Sequence, residues 1–104
     1  MYYILKYRDH LSNVYHIVQV GNDPASTLYV QKKIKACFHI GFKATHHQLA
    51  QHTTSAALFS LLDRLNEDRD VHGILLQLPL SPSLPADALL SHIAPHKDVD
   101  GLSS

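Results

Sequence analysis

The sequence has 104 residues, which is enough for one domain with a single hydrophobic core and too few for two. Apolar residues make up 45% and charged residues 17% of the chain, a balance typical of a globular protein. Nine basic and nine acidic side chains cancel, which argues against a nucleic-acid partner, and no apolar stretch is long enough to span a membrane. The single cysteine, Cys37, fits a reducing compartment, so we expect a cytoplasmic protein. The nine histidines show no convergent ligand set, which predicts mostly surface histidines and no metal.

From residue 15 onward, short strand-like segments alternate with longer segments in which apolar residues have helical spacing. The strand-like segments are rich in β-branched and aromatic residues, and turn-forming residues separate the segments. In chain order we predict strand 15–20, a helix from 25 or 26 to 40 ended by Gly41, strand 42–49, helix 53–66, strand 71–78, loop 79–85 and helix 86–93. Residues 1–14 are atypical and fit either a short edge strand or part of a helix, so we expect the domain to cover 15–104.

This alternation of strands and helices predicts an α/β domain with a parallel sheet, because parallel strands need helical crossover connections. The apolar run at 71–78 is typical of a strand that is buried on both faces. We therefore expect a three-layer α/β sandwich built from β-α-β units.

Lys33 falls on the wrong side of the first predicted helix for an ordinary surface lysine. At about 100° per residue, it lies with Ser26 and Tyr29 on the side of the apolar residues. An ammonium group there must reach sideways to water, find a partner or serve a cleft. Helical geometry alone leaves these possibilities open. It favours a Lys33 side chain that reaches sideways to water while Tyr29 simply packs.

Gln77 is an amide inside an apolar run, near the carboxyl end of its predicted strand. Open parallel sheets build their sites at this edge, and the loop that leads into the helix of Lys33 lies at the same edge. The amide could hold the lysine head in place, but a core glutamine bonded to backbone groups fits equally well. Farther along, residues 95–101 place two carboxylates around a turn, which alone is usually a solvated turn.

Three segments of the sequence resemble signatures of the methylenetetrahydrofolate dehydrogenase/methenyltetrahydrofolate cyclohydrolase family. The first comprises Val-Gly-Asn-Asp-Pro-Ala-Ser at 20–26, followed by Tyr29 and Lys33. The second is Val-His-Gly-Ile-Leu-Leu-Gln-Leu-Pro-Leu at 71–80, and the third is Ile-Ala-Pro-His-Lys-Asp-Val-Asp-Gly at 93–101. Because they occur in the family's order, the sequence is identified as similar to its catalytic, folate-binding domain.

The resemblance implies a Rossmann-like catalytic domain with a folate pocket. Lys33 corresponds to the family's proton-transferring lysine, and Gln77 to the glutamine that contacts and tunes it. Tyr29 corresponds to the tyrosine that stacks on the folate, and Asp100 to the aspartate that hydrogen-bonds the pterin. The other residues that the resemblance assigns to the substrate pocket are Ser26, Leu78 and Pro79.

The resemblance further implies a bifunctional enzyme of one-carbon metabolism and purine biosynthesis, acting on tetrahydrofolate derivatives with NAD(P) as cofactor. The family continues into an NAD(P)-binding domain, and this sequence has no glycine-rich dinucleotide motif among its four scattered glycines. We therefore expect no NAD(P) site and no dehydrogenase activity in this chain alone. Its expected partners are copies of itself or the missing domain. The alternative is an inactive remnant that only binds folate or a partner subunit.

Overall fold

The computed structural model describes residues 13–99, which form a three-stranded parallel sheet with helices on both faces. The elements are strands β1 (Val14–Val20), β2 (Lys43–Leu49) and β3 (Gly73–Leu76), helices α1 (Pro24–His39), α2 (Ser55–Glu67) and α3 (Ala86–His92), and a 3-10 helix at Pro95–Lys97. Between residues 13 and 99, no helix is long and apolar enough to cross a membrane. The predictions for residues 1–12 and for Asp100 lie outside this range.

The central strand of the sheet is β1, and the strand order is β2-β1-β3. β1 pairs with β2 along its whole length, from Val14 opposite Lys43 to Val20 opposite Leu49. It pairs with β3 over a shorter stretch on its other side. All pairs are parallel, so the predicted sheet type is confirmed.

The sheet lies between two helical layers because neighbouring strand residues point to opposite faces. Helix α1 covers one face, where Val30 packs against Ile17 and Leu75. Helices α2 and α3 cover the other face. The buried residues of that larger core are Val18, Leu58, Leu61, Leu62, Leu65, Val71, Ile74, Leu76, Leu89 and Ile93. This arrangement confirms the predicted three-layer sandwich.

Helix α1 begins at Pro24, slightly earlier than the sequence pattern predicts. The Asp23 carboxylate caps it by accepting a hydrogen bond from the Ser26 amide at 3.0 Å. Proline suits the first helical position because a backbone N–H there has no acceptor within the helix, so nothing is lost by its absence. At the other end, Gly41 adopts φ +83° and donates to the carbonyl of Phe38, as the predicted helix terminator should.

Strand β3 ends at Leu76, two residues earlier than predicted. The backbone N–H of Gln77 still donates to the backbone carbonyl of Val18 at 2.8 Å. Pro79 has no amide hydrogen with which to continue the pairing, so the chain leaves the sheet there. The Leu78–Pro79 peptide bond is cis. All four residues of β3 are buried, which confirms the predicted burial on both faces.

Successive strands are added to the sheet on opposite sides of β1, so the direction in which the sheet grows changes between β1 and β3. From β1 it passes through α1 to β2 on one side, and from β2 it passes through α2 to β3 on the other side. In open α/β sheets such a switch point leaves a crevice at the carboxyl ends of the strands, where ligands bind. The topology therefore marks the ends of β1 and β3 as the first place to look for a site.

Candidate functional site

Lys33 and Gln77 meet at the switch point between β1 and β3. The Lys33 Nζ donates a hydrogen bond to the Gln77 Oε1 at 3.1 Å, and Gln77 is only 6% exposed. The Gln77 Nε2 donates to the carbonyl of Leu78 at 2.8 Å. Because an ammonium group only donates and a carbonyl only accepts, the two bonds fix the orientation of the amide. Lys33 therefore has a partner at the end of the sheet, and the alternative of sideways escape to water is wrong.

Two further predicted site residues, Ser26 and Tyr29, lie on α1 before Lys33. Ser26 precedes Lys33 by about two turns and Tyr29 precedes it by about one turn, so all three lie on the same side of the helix. Ser26 is buried in the first turn, whereas Tyr29 is 53% exposed. The ring of Tyr29 therefore does not simply pack in the core, and a large part of its surface is accessible to a ligand.

The remaining predicted site residues follow β3 or lie beyond the described range. Leu78 is partly buried and Pro79 is exposed, directly after Gln77 at the same edge of the sheet. Asp100 follows the last described residue, Val99, so its predicted role stays a prediction. The structure thus brings Lys33 and Gln77 into direct contact, with Ser26 and Tyr29 on the helix of Lys33 and Leu78 and Pro79 directly after Gln77.

An apolar cavity of about 180 Å³ adjoins Lys33 between α1 and the sheet. Its lining residues are Tyr15, Ile17, Lys33, Ala36, Cys37, Leu75 and Val99. Tyr29 and Gln77 do not line it, and among residues 13–99 Lys33 is the only charged residue that does. Apart from Lys33, these described lining residues supply no group suited to moving a proton at neutral pH. We therefore place the candidate site at the polar Lys33–Gln77 pair and regard the cavity as apolar space beside it.

A second buried amide, Gln19, lies near the end of β1 and was missed by the sequence analysis. It is 1% exposed, and its Nε2 donates to the Thr27 Oγ1 at 2.9 Å. Its Oε1 lies 2.9 Å from the His46 Nε2, and this ring nitrogen must carry the hydrogen because the amide oxygen only accepts. Gln19 thereby ties the first turn of α1 to β1 and β2. The available signal was the one noticed at Gln77, an amide inside an apolar strand.

His16 and His47 form a stacked pair on the opposite face of the sheet. The His16 Nδ1 lies 2.7 Å from the His47 Nε2, and the ring centroids are 4.9 Å apart. The neighbours His46 and His47 face opposite sides of the sheet, since His46 contacts Gln19 on the face of α1. The expectation of surface histidines does not hold for this partly buried pair. Among residues 13–99, no group of three or more histidine, cysteine or acidic residues is arranged to hold a metal ion.

A sequence model of the catalytic domain of tetrahydrofolate dehydrogenase/cyclohydrolase matches residues 5–100 of this chain. The bifunctional protein FolD of Agathobacter rectalis is 47% identical over 87 residues. That match covers 84% of this chain and 31% of the relative. The chain therefore spans less than a third of the length of this relative.

Solved structures show the same fold. The bifunctional methylenetetrahydrofolate dehydrogenase/cyclohydrolase FolD from Campylobacter jejuni has a TM-score of 0.86 and 39% identity, covering 95% of this chain and 35% of that one. The enzyme from Trypanosoma brucei, solved with NADP cofactor and inhibitor, has a TM-score of 0.81 and 33% identity, covering 95% of this chain and 33% of that one. Together with the three sequence segments, these matches establish that the chain belongs to the tetrahydrofolate dehydrogenase/cyclohydrolase family and represents its catalytic domain.

Proposed function

We propose that this chain is the folate-binding catalytic domain of a bifunctional methylenetetrahydrofolate dehydrogenase/methenyltetrahydrofolate cyclohydrolase. The observation that carries the proposal is the contact between the Lys33 Nζ and the Gln77 Oε1 at the switch point of the sheet. Membership of the family and its bifunctional relatives support it. The substrates are one-carbon derivatives of tetrahydrofolate.

Lys33 is the proton-transfer residue in this proposal. Hydrolysis of the cyclic methenyl cation adds water to its electron-poor carbon, so a base must take a proton from the water. A lysine serves as this base when its amine is neutral, which a cationic substrate beside it favours. The Gln77 oxygen accepts one hydrogen of the amine and so restricts the rotation of the Lys33 Nζ group. Gln77 thus orients the base.

The other site residues hold the substrate. The half-exposed ring of Tyr29 offers a flat surface on which a folate ring system stacks, and such aromatic pairs contribute about 0.5–1.5 kcal/mol. The carboxylate of Asp100 accepts hydrogen bonds from the donor-rich amino-pyrimidine edge of the pterin. Ser26, Leu78 and Pro79 complete the walls of this pocket.

Hydride transfer needs NAD(P), and the described residues of this chain do not fit a dinucleotide. Rossmann domains bind pyrophosphate at the turn between the first strand and the first helix, where free backbone amides meet the anion. Here the Asp23 carboxylate already accepts the bond from the Ser26 amide, and its charge would repel a phosphate. We therefore assign NAD(P) binding to another domain, expect no dehydrogenase activity of the 104-residue chain alone, and derive no hydride step from it.

The first prediction tests Lys33 in the hydrolysis of methenyltetrahydrofolate, which is measured by the loss of the substrate's absorbance. Lys33→Met should lower the turnover number at least about a hundredfold, because general acid–base catalysis contributes about 10²–10⁴-fold. Phe38→Ala removes an exposed aromatic residue elsewhere on α1 and serves as the matched control. An unchanged rate in Lys33→Met would exclude it as the base. A wild-type chain that binds folate without turnover would instead support the alternative of an inactive folate-binding remnant.

A further inference from the structure

Gln19 is a buried amide that connects the three elements on the α1 face of the sheet. It is 1% exposed, its Nε2 donates to the Thr27 Oγ1 of α1 at 2.9 Å, and its Oε1 accepts from the His46 Nε2 of β2 at 2.9 Å. An apolar side chain of similar size would fill this place without needing partners, whereas a buried amide is costly unless it is bonded. What the amide adds to packing is therefore two hydrogen bonds of defined direction.

The turn that leads into α1 is also bound to β2. The backbone N–H of Gly21 donates to the carbonyl of Leu49 at 2.8 Å, and the carbonyl of Gly21 accepts from the Gln48 Nε2 at 3.3 Å. The Asp23 carboxylate then caps the helix. Because these contacts precede the first turn or lie within it, they hold the start of α1 without fixing its rotation about its own axis.

The packing beneath α1 limits this rotation only weakly. Val30 packs against Ile17 and Leu75, and apolar contacts of this kind are non-directional. The cavity of about 180 Å³ between α1 and the sheet leaves room for the helix to move. The hydrogen bond from Gln19 to Thr27 is directional, so it opposes a rotation that the apolar contacts tolerate.

The position of Lys33 depends on the rotation of this helix. Lys33 follows Thr27 by six residues, which is about 9 Å along the helix axis. A rotation of α1 by about 10° moves a side-chain end that lies about 6 Å from the axis by about 1 Å. The Lys33 Nζ is 3.1 Å from the Gln77 Oε1, so a movement of this size away from Gln77 breaks the hydrogen bond. Misplacing a catalytic group by about 1 Å costs up to about a hundredfold in rate.

We propose that Gln19 is a positioning residue for Lys33. Through its bond to Thr27 it fixes the rotation of α1 and so keeps the Lys33 Nζ within reach of Gln77. His46 sets the orientation of the Gln19 amide, because its ring N–H occupies the amide oxygen and leaves the Nε2 for Thr27. The proposal rests on the proposed function, in which Lys33 is the base.

The test measures kcat and KM for the hydrolysis of methenyltetrahydrofolate. Gln19→Leu should lower kcat about tenfold and change KM less than about twofold, because proton transfer needs more exact geometry than ring stacking. Gln19→Glu should restore part of kcat, since a carboxylate accepts from both the His46 ring and the Thr27 hydroxyl. If Gln19 acts by keeping Lys33 at Gln77, adding Gln19→Leu to Gln77→Leu should lower kcat little further.

Asn66→Leu is the matched control for a purely structural effect. Asn66 is an amide with two bonds on the other face of the sheet, where its Nδ2 donates to the carbonyl of His92 at 2.8 Å and its Oδ1 accepts from the Ala94 amide at 2.9 Å. This variant should lose stability as Gln19→Leu does but keep its kcat. All rates are measured at a temperature at which circular dichroism shows every variant folded. Thr27→Val removes only the hydroxyl and replaces Gln19→Leu if that variant does not fold.

Each outcome separates this proposal from the proposed function. Wild-type turnover with an unchanged kcat in Gln19→Leu, or independent losses when it is combined with Gln77→Leu, would overturn only the role of Gln19. An equal loss of kcat in Asn66→Leu would also overturn it, since any weakening of the fold would then suffice. A wild-type chain without turnover would overturn the proposed function and this role together.

Discussion

His16 and His47 share one hydrogen bond between two ring nitrogens, so one of these nitrogens must stay unprotonated to accept, and a proton added there breaks the bond. Burial is the main cause that lowers the pKa of His16 below its ordinary 6.5, with the charges of His47 and Lys97 adding to it and Asp68 opposing it. Burial likewise lowers the pKa of His47, followed by the charges of His46 and Arg64. Both rings therefore favour the neutral form in the folded protein.

The second prediction concerns stability in acid. Because these pKa values are lower when folded, unfolding takes up protons, and the free energy of unfolding should fall as the pH drops below about 6.5. The slope should not exceed about 1.4 kcal/mol per pH unit for each proton taken up. Urea unfolding at pH 5 to 8 measures it, and His47→Phe should make the slope shallower. His52→Gln, at an exposed histidine, should not. An equal slope in His47→Phe would contradict the prediction.

Helical periodicity could single out Lys33 because its departure from the pattern is local. Lys97 could not be interpreted in this way, since its partners, the carbonyls at the end of α2, lie far away in sequence and only the packed fold brings them within reach. Gln19 carried the signal of an amide inside an apolar strand, but its partner His46 was not visible in the sequence. The role of Gln77 was open for the same reason, as the sequence does not show which helix covers its strand.

At the scale of elements, each strand and helix predicted between residues 15 and 93 is present, and the differences lie at the ends. Prolines explain two of them, because Pro24 starts α1 earlier and Pro79 helps to end β3 sooner. The strand order was not predictable from local patterns. The central place of β1 follows from its pairing with both neighbours, which no segment of sequence contains by itself.

The third prediction tests the cap of the helix that carries the site. Asp23→Ala removes the acceptor of the Ser26 amide and should lower the free energy of unfolding by about 1 kcal/mol, the usual contribution of such a cap. Asn22→Ala changes the exposed neighbouring residue and should have little effect. Chemical unfolding compares the two variants. Equal stability of Asp23→Ala and Asn22→Ala would mean that solvent replaces the cap without cost.

At the scale of the whole molecule, a small core and an apolar cavity limit stability. A domain of about this size buries roughly two-thirds of the surface that its unfolded chain exposes, and typical stabilities are about 5–10 kcal/mol. The cavity of about 180 Å³ beside Lys33 is open to solvent, so part of its apolar lining is not removed from water. A ligand that binds only the folded chain should therefore have a readily measured effect on its unfolding.

The last prediction uses this effect to test the folate site as a whole. A tetrahydrofolate analogue at a hundredfold excess over its dissociation constant should add about 2.7 kcal/mol of stability. For a chain of this size, that corresponds to a rise in melting temperature of about 10 °C or more. Thermal unfolding with and without ligand measures the rise in each variant.

The rise should shrink in Tyr29→Ala, which loses the stacking surface, and in Asp100→Ala, which loses the pterin anchor. Lys33→Met should keep most of it, because the lysine acts in proton transfer more than in binding. Phe38→Ala, at another exposed aromatic residue of α1, should match the wild type. If the wild type shows no rise, the chain has no working folate site. If all variants rise equally, the ligand binds elsewhere and the placement of the site at the Lys33–Gln77 pair is wrong.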